Sequence, residues 1–207
     1  MTKQRMGFVM KARLFWRSCF IQSLWSFENM QGLGFGFCVE PWLRERWGGS
    51  PREEILALER NCEQFNTQPY MVGLVAGMAC SLEASAAAAA PEDRPGIEGR
   101  LRTLKTSAAA ALAAIGDAFF WGSWRPFCAV LAVAGGMLGI FLGAQPRTVV
   151  LGAAGCYVLA YGAPVVALRW LGLGLGYRWG ERFAQELARF HWQRMFSFPR
   201  HMRLLQN

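Results

Sequence analysis

Two charge-free stretches, residues 127–144 (FCAVLAVAGGMLGIFLGA) and 149–168 (VVLGAAGCYVLAYGAPVVAL), are separated only by the tetrapeptide QPRT. About 20 apolar residues in a helix cross the hydrocarbon of a bilayer, so the second stretch suffices and the first is marginal. A backbone in lipid must satisfy its own polar groups, which leaves the helix as the form for such segments. The link is too short for a domain, and the pair is therefore predicted to be an antiparallel transmembrane hairpin. Gly135, Gly136, Gly139, Gly152 and Gly155 are small enough to let two membrane helices approach closely.

Charge supports the same environment. Only 17% of the 207 residues are charged and 53% are hydrophobic, against about 25% charged in an ordinary soluble domain. The net charge of +8 is concentrated at the two ends. Lys3, Arg5, Lys11, Arg13 and Arg17 open the chain, and Arg169, Arg178, Arg182, Arg189, Arg194, Arg200 and Arg203 close it against Glu181 and Glu186. Basic flanks of apolar spans mark the cytoplasmic side. Two spans return the chain to the side it came from, which places both termini there. A nucleic-acid binder is favoured by the basic pI alone, and no nucleic acid is expected as partner. The nine tryptophans, Trp42 and Trp47 among them, read as interface belts near span ends.

Residues 1–70 read as amphipathic and interfacial helices. Leu14, Phe15, Ser18, Ile21, Trp25 and Met30 recur at near-helical spacing and predict one helix over 12–30. Gly32, Gly34 and Gly36 in QGLGFGF lack the spacing of a phosphate loop and imply close backbone packing or a hinge. Ser50, Pro51 and the acids after them open a surface helix with Ile55, Leu58 and Cys62 on one face. Residues 71–126 form a broken-helix region. MVGLVAGMACSL is too short to span and suits a re-entrant helix, and 84–102 reads as a flexible aqueous loop. A further helical block over 106–124 is interrupted at Gly116–Asp117. Residues 127–168 are the hairpin, and 169–207 a basic tail along the cytoplasmic interface. Altogether the fold class is an all-α integral membrane protein, one domain of amphipathic and re-entrant helices plus the hairpin.

Cysteines at 19, 38, 62, 80, 128 and 156 include no C-x-x-C pair, and His191 and His201 stand alone. No metal or cofactor is expected. LFWRSCFIQSLWSF is broken by Arg17, Gln22 and Ser23 and is not followed by a cleavage pattern, so it does not read as a signal peptide. Asp117 either caps a helix beginning at Ala118 or faces a wet, protein-lined interior, because ionisable groups in a membrane bundle face a cavity or a partner. Arg125 before Pro126 reads as a membrane boundary where the side chain snorkels.

Four stretches, FWRSCFIQSLWSFENMQGLGFGF, FNTQPYMVGLVAGMACSLE, AAIGDAFFWGSWRP and LRWLGLGLGYRWGE, resemble in order and spacing the IID component of the mannose-family sugar phosphotransferase system. The I-G-D-x-x-F-W-G-x-x-R-P pattern over 115–126 is the most specific. The resemblance covers residues 12 to 183. It implies a membrane subunit that pairs with a IIC subunit to form a hexose channel, with IIA and IIB phosphocarriers supplying the phosphoryl group. The assembly is a hetero-oligomer in the bacterial inner membrane. No phosphorylated or catalytic residue is expected in this chain. Departures are a Gly162 where the family often has Asn, a single Glu83 where paired acids are usual, and an end at Asn207 without the family's further hydrophobic region. They keep open a second reading, a regulatory or scaffold subunit derived from such a permease.

Sugar recognition needs carboxylates and amides to bond hydroxyls. The expected substrate-binding residues are Glu28, Gln31, Asn66, Gln68, Glu83 and Asp117. Gly116, Trp121, Gly122, Arg125 and Pro126 are the expected structural or interface residues.

Overall fold

The computed structural model describes residues 6–189. The chain forms two compact units, one holding the described residues up to Ala114 and again from Leu168, the other holding Ile115–Ala167. Arg194, Arg200, Arg203, His191, His201, Lys3 and Arg5 lie outside the described residues, as does the basic tail beyond Arg189.

The first unit begins with α1 (Phe8–Ser18). Met10, Leu14 and Ser18, four residues apart, turn inward, the spacing of one helical face. The helix expected over 12–30 thus starts earlier and stops at Ser18. Its end has a local cause. The Ser18 hydroxyl donates to the Phe15 carbonyl at 2.6 Å and the Ser23 hydroxyl to Phe20 at 2.7 Å, and such side-chain bonds compete with the helical ladder. Short-range bonds from Cys19 to Trp16 and from Phe20 to Arg17 then close turns.

Next, α2 (Gly32–Trp47) carries the three glycines on its packed side. A methyl at Gly32 would strike the Cys62 and Glu63 carbonyls, one at Gly34 the Ile21 carbonyl, and one at Gly36 the Cys62 sulfur. The triplet serves close packing, as expected. In α3 (Pro51–Cys62), Pro51 holds the first turn, where its missing N–H costs nothing, and Glu53 and Glu54 complement the dipole. Ser50 stands at the cap position without a side-chain cap bond. The buried face of α3 is Ala57, Arg60 and Asn61. Ile55 is 57% exposed, which corrects the Ile55–Leu58–Cys62 face; a buried carboxylate described below draws Arg60 and Asn61 inward instead.

The apolar segment forms α4 (Val72–Ala88), buried without a break from Val72 to Glu83. The loop expected over 84–102 is largely absent. Alanine has the highest helix propensity, and its run extends α4 to Ala88. After a short turn, α5 (Arg94–Phe119) begins with Pro95 in its first turn, where proline is tolerated. It continues past Gly116–Asp117 without interruption.

Similarly, α7 (Pro146–Trp179) does not end at Arg169. Its last turns bury Gly172, Leu173, Gly176 and Tyr177, and a 3₁₀ turn (Gly180–Arg182) leads into α8 (Phe183–Arg189). Two G-x-x-x-G pairs explain the contact. Added methyls at Gly73 and Gly77 of α4 would strike the Arg169 and Leu173 carbonyls, and one at Gly176 the Leu74 carbonyl. Here backbone meets backbone, as small-residue helix pairs allow. The expected interfacial tail is, as far as Arg189, a packed wall of the first unit.

In the second unit a π-helical turn (Phe120–Trp124) leads into α6 (Arg125–Phe141), followed by the tight turn into Pro146 and the first half of α7. Gly143 takes φ +73° in that turn, a conformation glycine adopts freely. The hairpin is present as the charge-free stretches predict. Gly136 packs on Val149 and Ala153, and Gly139 on Val149. Gly135, Gly152 and Gly155 meet nothing within 4 Å, so only two of the five small residues expected there make the contact. Val130, Val133, Met137, Ile140, Phe141, Val158 and Leu159 point outward, an arrangement suited to lipid. The two continuous helical stretches Arg94–Phe141 and Pro146–Arg189 each contain a window apolar enough to cross a membrane, and those windows are 11% and 0% buried.

Candidate functional site

Two turns of the first unit carry four of the six expected substrate-binding residues. Met30 and Ser26 exchange backbone bonds at 2.9 and 3.1 Å, Gln31 N–H donates to the Phe65 carbonyl at 2.8 Å, and Phe65 N–H to the Asn29 carbonyl at 3.3 Å. The Gln31 side chain completes the clamp. Its amide donates to the Thr67 carbonyl at 3.0 Å and accepts from the Thr67 N–H at 3.1 Å. The Phe35 and Phe65 rings pack against each other, tilted by 38° with centroids 4.3 Å apart. Met30 sits at φ +52°, sparsely populated for a residue with a side chain; such strain clusters at functional sites.

This arrangement divides the polar residues. Gln31 and Gln68 are buried, and Gln31 has its amide engaged. Glu28 and Asn66 are exposed at the turns. Thr67 was not singled out from sequence. It is 3% exposed, and its hydroxyl has no hydrogen-bond partner among the described residues.

Glu83 has a different setting. It is 1% exposed, and both carboxylate oxygens accept protein donors. Arg60 grips it in a two-pronged pair at 2.9 and 2.7 Å, Trp47 Nε1 donates at 3.0 Å and Asn61 Nδ2 at 2.6 Å. Arg60 also reaches Glu98 at 3.2 Å, and the buried Lys105 ammonium donates to the Arg60 carbonyl at 2.5 Å. Arg169, read as a flank, is buried and donates to the Ser18 carbonyl. The tryptophan belt needs correcting in the same region. Trp42 and Trp47 are 1% and 5% exposed, because each has an internal acceptor, the Cys80 carbonyl at 2.7 Å and Glu83 respectively. Sequence reasoning overlooked Arg60, Asn61 and Lys105. A usable signal existed: Arg60 and Asn61 follow Ala57 at helical spacing, which sets them on the same face as that alanine.

The I-G-D-x-x-F-W-G-x-x-R-P pattern lies in the second unit and includes the π turn. Gly116 is buried, whereas Asp117 is exposed in the last turn of α5. Asp117 therefore caps no helix at Ala118. Pro126 opens α6 rather than stopping a helix. Proline cannot donate to the carbonyl four residues back and crowds it, which favours a widened turn over Phe120–Trp124. The Arg125 guanidinium lies 5.2 Å from the Trp121 ring centre, and Phe119 stacks on Trp124 at 6.0 Å. Gly122 has open space beside it.

Thiol chemistry tests the packing of the first unit. Burial pushes the Cys38 thiol up to about 12 and also raises Cys62. Since only the thiolate reacts, Cys38 has about a thousandth of an ordinary thiol's reactive form at neutral pH. In the purified protein a maleimide is expected to modify exposed Cys19 and to spare Cys38 until denaturant is added, with mass spectrometry of peptides as the readout.

Among the described residues no three His, Cys, Asp or Glu side chains group as a metal site. Residues 9–198 match the family described as PTS system mannose/fructose/sorbose family IID component. The chain is 30% identical over 175 residues to the mannose-specific EIID component of Escherichia coli K12, covering 84% of this chain and 57% of that relative. It is 28% identical over 169 residues to the sorbose-specific EIID component of Lacticaseibacillus casei, with 82% and 55% covered. It is 28% identical over 181 residues to the fructose permease IID component of Bacillus subtilis, with 84% and 58% covered. Thus the chain spans somewhat more than half the length of these relatives. The fold is also similar to a chain in the cryo-EM structure of the mannose transporter ManYZ with microcin E492. The TM-score is 0.72 at 27% identity, covering 93% of this chain and 65% of that one.

Proposed function

Because the chain belongs to the IID components of the mannose/fructose/sorbose phosphotransferase family, we propose that it is the IID subunit of a sugar-translocating permease. It works with a IIC subunit and delivers a mannose-type hexose to IIB, which phosphorylates it. The carrying observation is the family match over residues 9–198. The outward apolar surface of the hairpin supports a place in the bacterial inner membrane, and the basic flanks support both termini on the cytoplasmic side. The relatives are named as sugar-specific components and a permease component, which favours transport over a regulatory role.

Within this reading the sugar-facing groups are Glu28 and Asn66, with Gln68 and the Thr67 hydroxyl behind them and Asp117 a separate candidate in the second unit. Gln31 is the clamp that shapes the turns. Glu83 is the anchor of the buried ion cluster, since its oxygens are already engaged.

The test is uptake and phosphorylation of radiolabelled hexose in cells that lack their own IID subunit but supply IIA, IIB and IIC. Phosphorylation is expected only when this chain is added. Asn66→Ala and Glu28→Ala should each lower it about tenfold, since a lost hydrogen bond to substrate is worth about 1–3 kcal/mol, with the melting temperature unchanged. Full activity in both variants would remove the turns from the sugar route. No activity with the intact chain would reject the permease reading.

A further inference from the structure

The opening of α1 and the last turns of α2 enclose a cavity of about 340 Å³ lined in part by Gly7, Val9, Arg13, Glu45 and Arg46. Its charge is mostly positive. Arg13 makes no hydrogen bond or ion pair with any described residue, and its side chain is exposed. Arg46 is held over the Trp42 ring at 4.2 Å and lies 3.3 Å from Glu45, the one acid of the lining. The first turn of α1 has no acidic residue and no side-chain cap, so the positive end of its dipole is uncompensated. Further along α1, Lys11 lies over Trp170 at 4.4 Å. Partial burial, followed by repulsion from Arg178, pushes its pKa down, a sign of how crowded with cations this region is.

Val9 of the cavity wall and Trp16, seven residues on, share one exposed apolar row of α1. Val9 and Trp16 are 65% and 66% exposed, and Phe8 at the start of the same helix is 75% exposed. Val9 belongs to both features, forming cavity wall on one side and open surface on the other. Aromatics in the acyl boundary with cations at the headgroups describe an interfacial helix. A dissolved anion would need the cations but not the apolar row. A phospholipid with an anionic headgroup needs both, its phosphate against the cations and its glycerol and upper chains against the aromatics.

We propose that this cavity binds the headgroup phosphate of an anionic phospholipid, with Arg13 as its main ligand, and so fixes α1 at the membrane surface. The proposal rests on the chain's place in a membrane and is independent of sugar transport. Electrostatic attraction to anionic lipid is worth about 1 kcal/mol per Lys or Arg near the surface, or about fivefold in binding.

The experiment uses the full purified chain in neutral detergent and measures retained lipid by native mass spectrometry. Phosphatidylglycerol and phosphatidylcholine of matched chains are offered together, with and without millimolar inorganic phosphate. Phosphatidylglycerol should be retained about fivefold or more over phosphatidylcholine, and phosphate should not displace it. Arg13→Gln should remove about fivefold of that preference with the circular dichroism unchanged, and Arg13→Lys should keep most of it. Equal retention of the two lipids overturns the proposal, as does a preference that survives Arg13→Gln. Displacement by inorganic phosphate would identify a free-anion site and also reject the lipid.

Discussion

Replacing Glu83 with alanine is expected to lower the melting temperature of the purified protein by about 6–20 °C. The residue is 1% exposed and receives Arg60, Trp47 and Asn61. Removing it leaves a guanidinium that is 2% exposed with Glu98 as its remaining acidic partner, and deprives an indole N–H and an amide of their acceptor. Breaking a buried pair costs about 3–5 kcal/mol, and each kcal/mol lowers the midpoint by about 2–4 °C in a chain of this size. Loss of the pair as a whole should be milder. Arg60→Met with Glu83→Leu is expected to melt above Glu83→Ala, because matched apolar groups avoid the stranded charge. Differential scanning fluorimetry in detergent reads both variants. A Glu83→Ala protein that melts like wild type yet phosphorylates no hexose would instead make Glu83 a sugar ligand.

Gly176→Leu is expected to be nearly as damaging, at about 3 kcal/mol. An added Cβ there would strike the Leu74 carbonyl and crowd the Met78 amide. Both are backbone atoms of α4, so no side chain can swing aside. Overpacking ordinarily costs about 1–3 kcal/mol, and a helix-to-helix backbone clash belongs at the top of that range. Gly152→Leu is the matched control. It lies on the hairpin with nothing within 4 Å of an added Cβ, and its melting temperature should stay within about 2 °C of wild type. Equal losses at the two sites would mean that the α4–α7 contact does not hold the first unit together.

The features legible in the sequence were those fixed by local composition. The hairpin follows from an absence of charge over 127–144 and 149–168, and the packing of Gly32, Gly34 and Gly36 from their lack of side chains. What escaped depended on partners distant in the chain. Arg169 resembled a membrane flank because nothing nearby in sequence announces the Ser18 carbonyl that receives it. Trp42 and Trp47 resembled belt residues because their acceptors, on Cys80 and Glu83, lie 38 and 36 positions away. The alanine run after Glu83 stands beside prolines and charges that suggest a loop, although alanine's own preference extends the helix to Ala88. The turns bearing Glu28, Gln31, Asn66 and Gln68 hold residues of the right chemistry, yet it is the backbone bonds of Asn29 and Gln31 with Phe65 and the Gln31–Thr67 amide exchange that bring the two segments together, and neither is announced by local sequence.

The widened turn at Phe120–Trp124 also affects how the chain tolerates insertions. An i→i+5 turn accommodates an extra residue within an otherwise continuous helix. Shortening this segment by one residue would return it to α-helical pitch and rotate the side chains that follow it about the helix axis relative to those before it, taking Trp124 off the Phe119 ring. Spacing through the FWGSW segment thus decides which rings meet across the turn, Phe119 with Trp124 and Trp124 with Phe127, and length here is constrained more tightly than composition.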